Sequence, residues 1–242
     1  MAAKKAASEP PPPPAAVVAL FSELSDPEDP EIISLEGLQK LGEQLGLDAA
    51  SDVRFLVLLW KLGSGSKAGC ITRAEFTAGM HTMRKSNLEA LRQSIPACDP
   101  GFLEQKEFRE FYKFVFQFNR EGTRRFIGQY RALSRGCVMI LYSSSHSPIS
   151  HITEKEIAID LMRLVLDTNR APHLELFIKY LESRTKPNET INLDEWSTFL
   201  QFNQMVRLDL ADYNEDNAFP LLLGDYVTWR KEEAAGGAPA AK

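Results

Sequence analysis

Long apolar runs are scarce in this chain. Two of the longest, Ala15 to Phe21 and Cys137 to Tyr142, are far shorter than the roughly 20 residues a membrane-spanning helix needs. Cysteine is nearly absent: Cys70, Cys98 and Cys137 are three, odd in number and far apart. No CxxC or Cys/His cluster occurs, which argues against a disulfide framework or a structural zinc site and favours a reducing compartment. An excess of basic charge is missing too. The 28 Lys and Arg are outnumbered by 33 Asp and Glu, a net charge of −5, which argues against general nucleic-acid binding. The signatures GxSxG and HExxH and the kinase motifs are absent. The four histidines, His81, His146, His151 and His173, form no recognisable ligand set. No export signal is expected, because Pro10–Pro14 sits where the apolar core of one would begin.

What is present is an ordinary globular composition. The 242 residues are 44% hydrophobic and 25% charged, enough for one large domain or two small lobes. Residues 1–14 are Ala-, Lys-, Ser- and Pro-rich and read as a disordered or polyproline arm, and the tail from Glu232 is Ala/Gly-rich. Between these ends the periodicity is helical. Ser34 is placed to cap a helix with Leu35, Leu38, Leu41 and Leu45 on one face. Val53 to Leu62 reads as a buried helix, and Thr72 with Glu75 as a capping box. Phe102 to Phe118, Thr153 to Leu166, Leu174 to Leu181 and Asn192 to Leu208 complete the helical set. The end of the Phe-rich run, Phe114 to Phe118, also alternates as a strand would, but the upstream period of 3.6 favours helix. A helix from Thr123 to about Leu133 and an irregular loop are expected after it. Clusters of β-branched residues are few, so the fold class is all-α.

Two junctions have the outline of EF-hand loops, which need oxygens at positions 1, 3 and 5, a turn Gly at 6 and a Glu at 12. From Ser64, Gly69 falls at 6, Ile71 at 8 and Glu75 at 12, but positions 3 and 5 are Ser66 and Ala68, and Lys67 adds positive charge. From Asp26, positions 6 and 12 are Glu31 and Gly37. EF-hand geometry without calcium is the expectation. The pair Asp194-Glu195 has the chemistry of an acid/base couple, but at a helix start it more simply favours the dipole. No catalytic, metal or cofactor-binding residue is assigned. Two surfaces remain. One is apolar, with Leu35, Leu38, Phe55, Leu58, Ile71, Phe118 and Leu164, for which ordinary core packing is the simpler account. The other is acidic, around Asp194, Asp212, Glu215, Asp216 and Asp225, where a solvated face is the simpler account.

A family resemblance rests on an ordered series of segments. These are Leu56 to Lys61, Ile71 to Met80 (Ile-Thr-Arg-Ala-Glu-Phe-Thr-Ala-Gly-Met), Leu91 to Pro96, Phe108 to Phe118, Glu156 to Leu166, Leu193-Asp194-Glu195-Trp196 and Tyr213 to Tyr226. Over residues 18–231 the chain resembles the potentiating-neddylation domain of the "defective in cullin neddylation" family. The resemblance implies a two-lobe helical domain. Its parts would be an arm at 1–17, an EF-hand-like N-terminal lobe at 18–119, an insertion or linker at 120–152, a C-terminal lobe at 153–231 and a flexible tail at 232–242. It implies a non-catalytic scaffold that holds a cullin C-terminal domain and an N-acetylated neddylation conjugating enzyme, with neither nucleic acid nor membrane as partner. A nuclear and cytoplasmic location is expected. A calcium-responsive adaptor is the alternative.

The resemblance also assigns residues. The pocket for the acetylated methionine would comprise Leu35, Leu38, Phe55, Leu58, Ile71, Phe118 and Leu164. A charged amine would be costly to desolvate there, which is why acetylation matters. The cullin-binding patch would include Asp194 and Ala218, with Asp225 as the nearest carboxylate to Gly224, where the family carries an Asp. Phe219 precedes Pro220 where Trp is common, and Phe126–Ile149 reads as an insertion at the lobe junction.

Overall fold

The computed structural model describes residues 12–49, 51–119, 154–184 and 190–236. The expected insertion and the helix after Thr123 lie outside these residues. Helix α1 (Ala15–Leu24) buries Val17, Leu20, Phe21 and Leu24, the i, i+3, i+4, i+7 stripe of an amphipathic helix. Helix α2 (Leu35–Leu45) buries Leu38, Leu41 and Leu45 and stops at Gly46, whose φ is +74°. Helix α3 (Val53–Lys61) buries Phe55 through Leu59 without a break, because it runs through the middle of its lobe. Helix α4 (Arg73–Thr82) opens on the expected capping box, with Thr72 and Glu75 exchanging hydrogen bonds.

The loops ahead of α2 and α4 meet. Strand β1 (Ile32–Ile33) pairs antiparallel with β2 (Ile71–Thr72), in register Ile32↔Thr72 and Ile33↔Ile71. Two helix–loop–helix units are thereby joined through their loops. Gly79 lets α4 cross the end of α3: a Cβ there would stand 2.3 Å from the Leu62 carbonyl oxygen. Ser34 occupies the N-cap position of α2 without capping it. Its hydroxyl serves Asp26 instead and holds that carboxyl below the ordinary range.

After α5 (Leu88–Arg92) and two 3₁₀ turns, Ile95–Cys98 and Pro100–Phe102, comes α6 (Gln105–Asn119). It starts three residues later than the periodicity predicts. Asp99 caps the Pro100 turn by accepting from Gly101 N–H, and Phe102 is left 74% exposed. The alternating stretch Phe114–Phe118 is helical. The second half holds α7 (Glu154–Val165), α8 (Leu174–Ser183), α9 (Leu193–Met205) and α10 (Leu221–Ala234). Among the described residues the architecture is all-α apart from the short β pair. One apolar core runs through both halves, from Val17 to Trp229. Helices α6 and α9 make the principal joint: Trp196 stacks on Tyr112 with ring centres 4.5 Å apart.

Candidate functional site

The loop before α4 has a carboxylate where a calcium loop would place its bidentate ligand, and that carboxylate is occupied. Glu75 Oε1 accepts from Gly65 N–H at 3.1 Å and Ser66 N–H at 2.7 Å. Its Oε2 accepts from Thr72 N–H and the Thr72 hydroxyl, each at 2.8 Å. Backbone and hydroxyl donors thus engage both oxygens of this carboxylate. Burial opposes ionisation of Glu75, yet the hydrogen bonds from Thr72 and Ser66 outweigh it and hold the carboxyl below its ordinary range. Gly69 adopts φ +70° and donates its N–H to the Phe118 carbonyl, tying the loop to the end of α6. Among the described residues no group of three or more His, Cys, Asp or Glu is placed to hold a metal ion.

The apolar candidates divide by burial. Leu38, Phe55, Leu58, Ile71 and Phe118 are at most 1% exposed and belong to the continuous core. Leu35 and Leu164 are half-buried and pack against that core from its edge. Any ligand that reaches the deeper residues therefore has to part the side chains that now cover them.

The acidic candidates lie on the second half. Asn192 caps α9 by accepting from the N–H groups of Asp194 and Glu195, while the Glu195 carboxylate accepts from Asn192 N–H in return. Glu195 is thereby committed to the cap, and Asp194 stands exposed in the first turn. Helix α9 ends at Met205, earlier than its pattern predicts, because Asp212 reaches back to accept from Arg207 N–H at 2.8 Å and fixes an extended exit. The same carboxylate lies 3.6 Å from the Arg207 guanidinium. Glu215, Asp216 and Ala218 are exposed on the following turns. Phe219 packs edge-on against Phe202 and stacks with Tyr213, which anchors those turns. Asp225 is not a free charge: it lies 3.5 Å from Arg184, which also bonds the Tyr180 hydroxyl. Gly224, one residue earlier, is open, and the nearest atom to a Cβ there is the Tyr213 hydroxyl at 4.0 Å.

One residue organises this half and carries no signature in the sequence. His173 is fully buried between α8, α9 and α10. Its N–H bonds Asn203 Oδ1 at 2.8 Å, its Nε2 meets the Val206 carbonyl at 3.1 Å and its Nδ1 meets the Tyr226 hydroxyl at 3.0 Å. A carbonyl can only accept, so Nε2 carries the proton and Nδ1 accepts from Tyr226. Burial lowers the His173 pKa, consistent with a neutral ring. The partners stand 30 to 53 residues away in sequence, beyond the reach of any local pattern.

These features define a helical module with an apolar core that reaches its edge at Leu35 and Leu164 and an exposed acidic turn region in the second half. Residues 87–229 match the family model described as "Cullin binding", and the chain belongs to that family. Asp194, Ala218, Gly224, Asp225, Phe118 and Leu164 lie inside the matched span, whereas Leu35, Leu38, Phe55, Leu58 and Ile71 precede it. The chain is 28% identical to DCN1-like protein 3 of Xenopus laevis over 88% of its own length and 61% of the relative's. It is 28% identical to DCN1-like protein 3 of Homo sapiens over 90% of this chain and 64% of that one. For DCN1-like protein 2 of Dictyostelium discoideum the identity is 27%, over 85% and 66%. The chain thus spans somewhat under two thirds of the length of these relatives.

Proposed function

We propose that this chain is a non-catalytic scaffold that promotes cullin neddylation. The family match over 87–229 carries the reading, since that span contains the exposed Asp194 and Ala218. An acidic surface fixed by the α9 cap and the Asp212 turn suits a basic cullin C-terminal domain. The apolar set Leu35, Leu38, Phe55, Leu58, Ile71, Phe118 and Leu164 would receive the N-acetylated terminus of the neddylation conjugating enzyme. Leu35 and Leu164, already at the core's edge, would move to admit it. Such a scaffold accelerates transfer by holding enzyme and target together, and needs no reacting group of its own. Asp225 shares its charge with Arg184, so it contributes less to the cullin contact than Asp194.

Calorimetry with a cullin C-terminal domain and with an N-acetylated conjugating-enzyme peptide tests this reading. Both should bind, and Asp194→Ala should weaken the cullin alone. Absence of binding for both partners at tens of micromolar would overturn it.

A further inference from the structure

We propose that a cleft between the start of α1 and helix α4, remote in sequence from the acidic turns, docks an acidic peptide segment of a partner protein that also carries apolar side chains. The cleft encloses about 1060 Å³. Pro12, Pro13, Pro14 and Val17 form one wall, and α4 presents Ala74 and Ala78 on the other. Ala74, Thr77 and Ala78 are short, so a peptide can approach the helix closely along that strip, beside the longer Met80 and His81. Prolines offer no N–H, and the interior N–H groups of α4 are spent within the helix. Pairing with an incoming strand is therefore unavailable on both walls, and recognition has to come from apolar packing and charge.

The charge is positive and concentrated at one end. Arg73 is not part of it, because it lies 2.9 Å from Glu31, donates to the Pro30 carbonyl and stacks over Phe21. Arg84 and Lys85 also line the cleft. Among the described residues neither has a carboxylate in ion-pair range. They form a basic spot on a chain whose net charge is −5. The backbone holds them there: Arg84 N–H bonds the His81 carbonyl and Lys85 N–H bonds the Met80 carbonyl, the crossed pair of a Schellman ending. Arg84 takes the left-handed position, φ +55°, that glycine usually fills. An apolar floor with an unpaired cationic end is complementary to a segment in which Asp or Glu accompanies Leu, Ile or Phe.

The test uses the full chain on arrays of short degenerate peptides, with acidic, neutral and basic classes each combined with apolar positions. Acidic-apolar peptides should be retained over the other classes. Arg84→Glu with Lys85→Glu should weaken that retention about fivefold or more, the scale of two exposed charge contacts reversed. Ala78→Trp, which fills the floor, should weaken it without changing the charge. If the Glu pair fails to fold, Arg84→Gly with Lys85→Ser removes the same charge with a residue the left-handed position accepts. Equal retention of all classes, preference for basic peptides, or unchanged binding by the folded variants would overturn the proposal.

Discussion

Trp196 donates its indole N–H to the Tyr112 carbonyl at 2.9 Å while its ring lies nearly parallel to the Tyr112 ring. The two residues are 84 apart in sequence, and both are fully buried. Phe116 closes the third side, 5.8 Å from the indole. This contact joins the two halves of the molecule, so its loss should be felt globally. Trp196→Ala should cost about 3–5 kcal/mol in denaturant unfolding, the range for deleting a large buried aromatic. Tyr112→Phe should behave differently. Among the described residues the Tyr112 hydroxyl has no hydrogen-bond partner; it is fully buried, and burial drives its pKa well above that of an ordinary phenol. Removing it should be neutral or stabilising by up to about 1 kcal/mol. A clear destabilisation by Tyr112→Phe would reveal a partner for that hydroxyl.

His173 predicts a pH dependence. Burial lowers its pKa in the fold below the unfolded value of about 6.5, so the unfolded chain binds more protons below that pH. The stability contributed by the neutral ring is complete above about pH 6.5 and is lost as pH falls through the folded-state value. His173→Gln cannot titrate. The difference in unfolding free energy between wild type and variant should therefore shrink as pH drops from neutrality toward 5. A difference that stays constant over that interval would show that the ring does not titrate with folding.

The local features of this fold were legible in the sequence because their causes are local. Thr72 and Glu75 lie three residues apart, and their capping box formed as the pattern requires. Gly69 took the positive φ expected at a turn position, and Val53–Lys61 is the buried helix its apolar run describes. Helix ends were less legible, because they are set by neighbours outside the helix. The tail of α9 is fixed by Asp212, and the start of α6 by Asp99. Charges were the least legible of all. Asp225 reads as a free acid beside Gly224, yet its partner Arg184 is 41 residues away. The same limit hid His173, whose three partners come from α9, its exit and α10.

Gly224 makes the acidic patch open to a gain-of-function test, resting on the proposed cullin contact. It sits in the first turn of α10, where a carboxylate is favoured by the helix N-terminus. Outside the helix's own backbone, the nearest atom to an added Cβ is the Tyr213 hydroxyl at 4.0 Å. Gly224→Asp should therefore fold, gain up to about 1 kcal/mol by leaving glycine behind in a helix, and bind the cullin domain several-fold more tightly at low salt. Gly224→Ala separates the two effects: it should share the stability gain and leave affinity unchanged. Equal affinities of the Asp and Ala variants would show that position 224 does not face the cullin.

Arg84 offers a last test, on stability alone. A non-glycine residue at φ +55° pays a steric cost between its Cβ and the following carbonyl, on the order of 1 kcal/mol. The two crossed hydrogen bonds that end α4 are made by backbone and do not need the side chain. Arg84→Gly should accordingly raise unfolding stability by roughly 0.5–1 kcal/mol, with the gain reduced by the greater freedom of glycine in the unfolded chain. Arg84→Ala keeps the strain and discards the charge, so it should bring no gain. If both variants are equally stable, the left-handed backbone at this position is not strained. If Arg84→Gly is more stable and binds acidic peptides less well, the arginine is held there against the local preference of the backbone, and the cleft it lines is the reason.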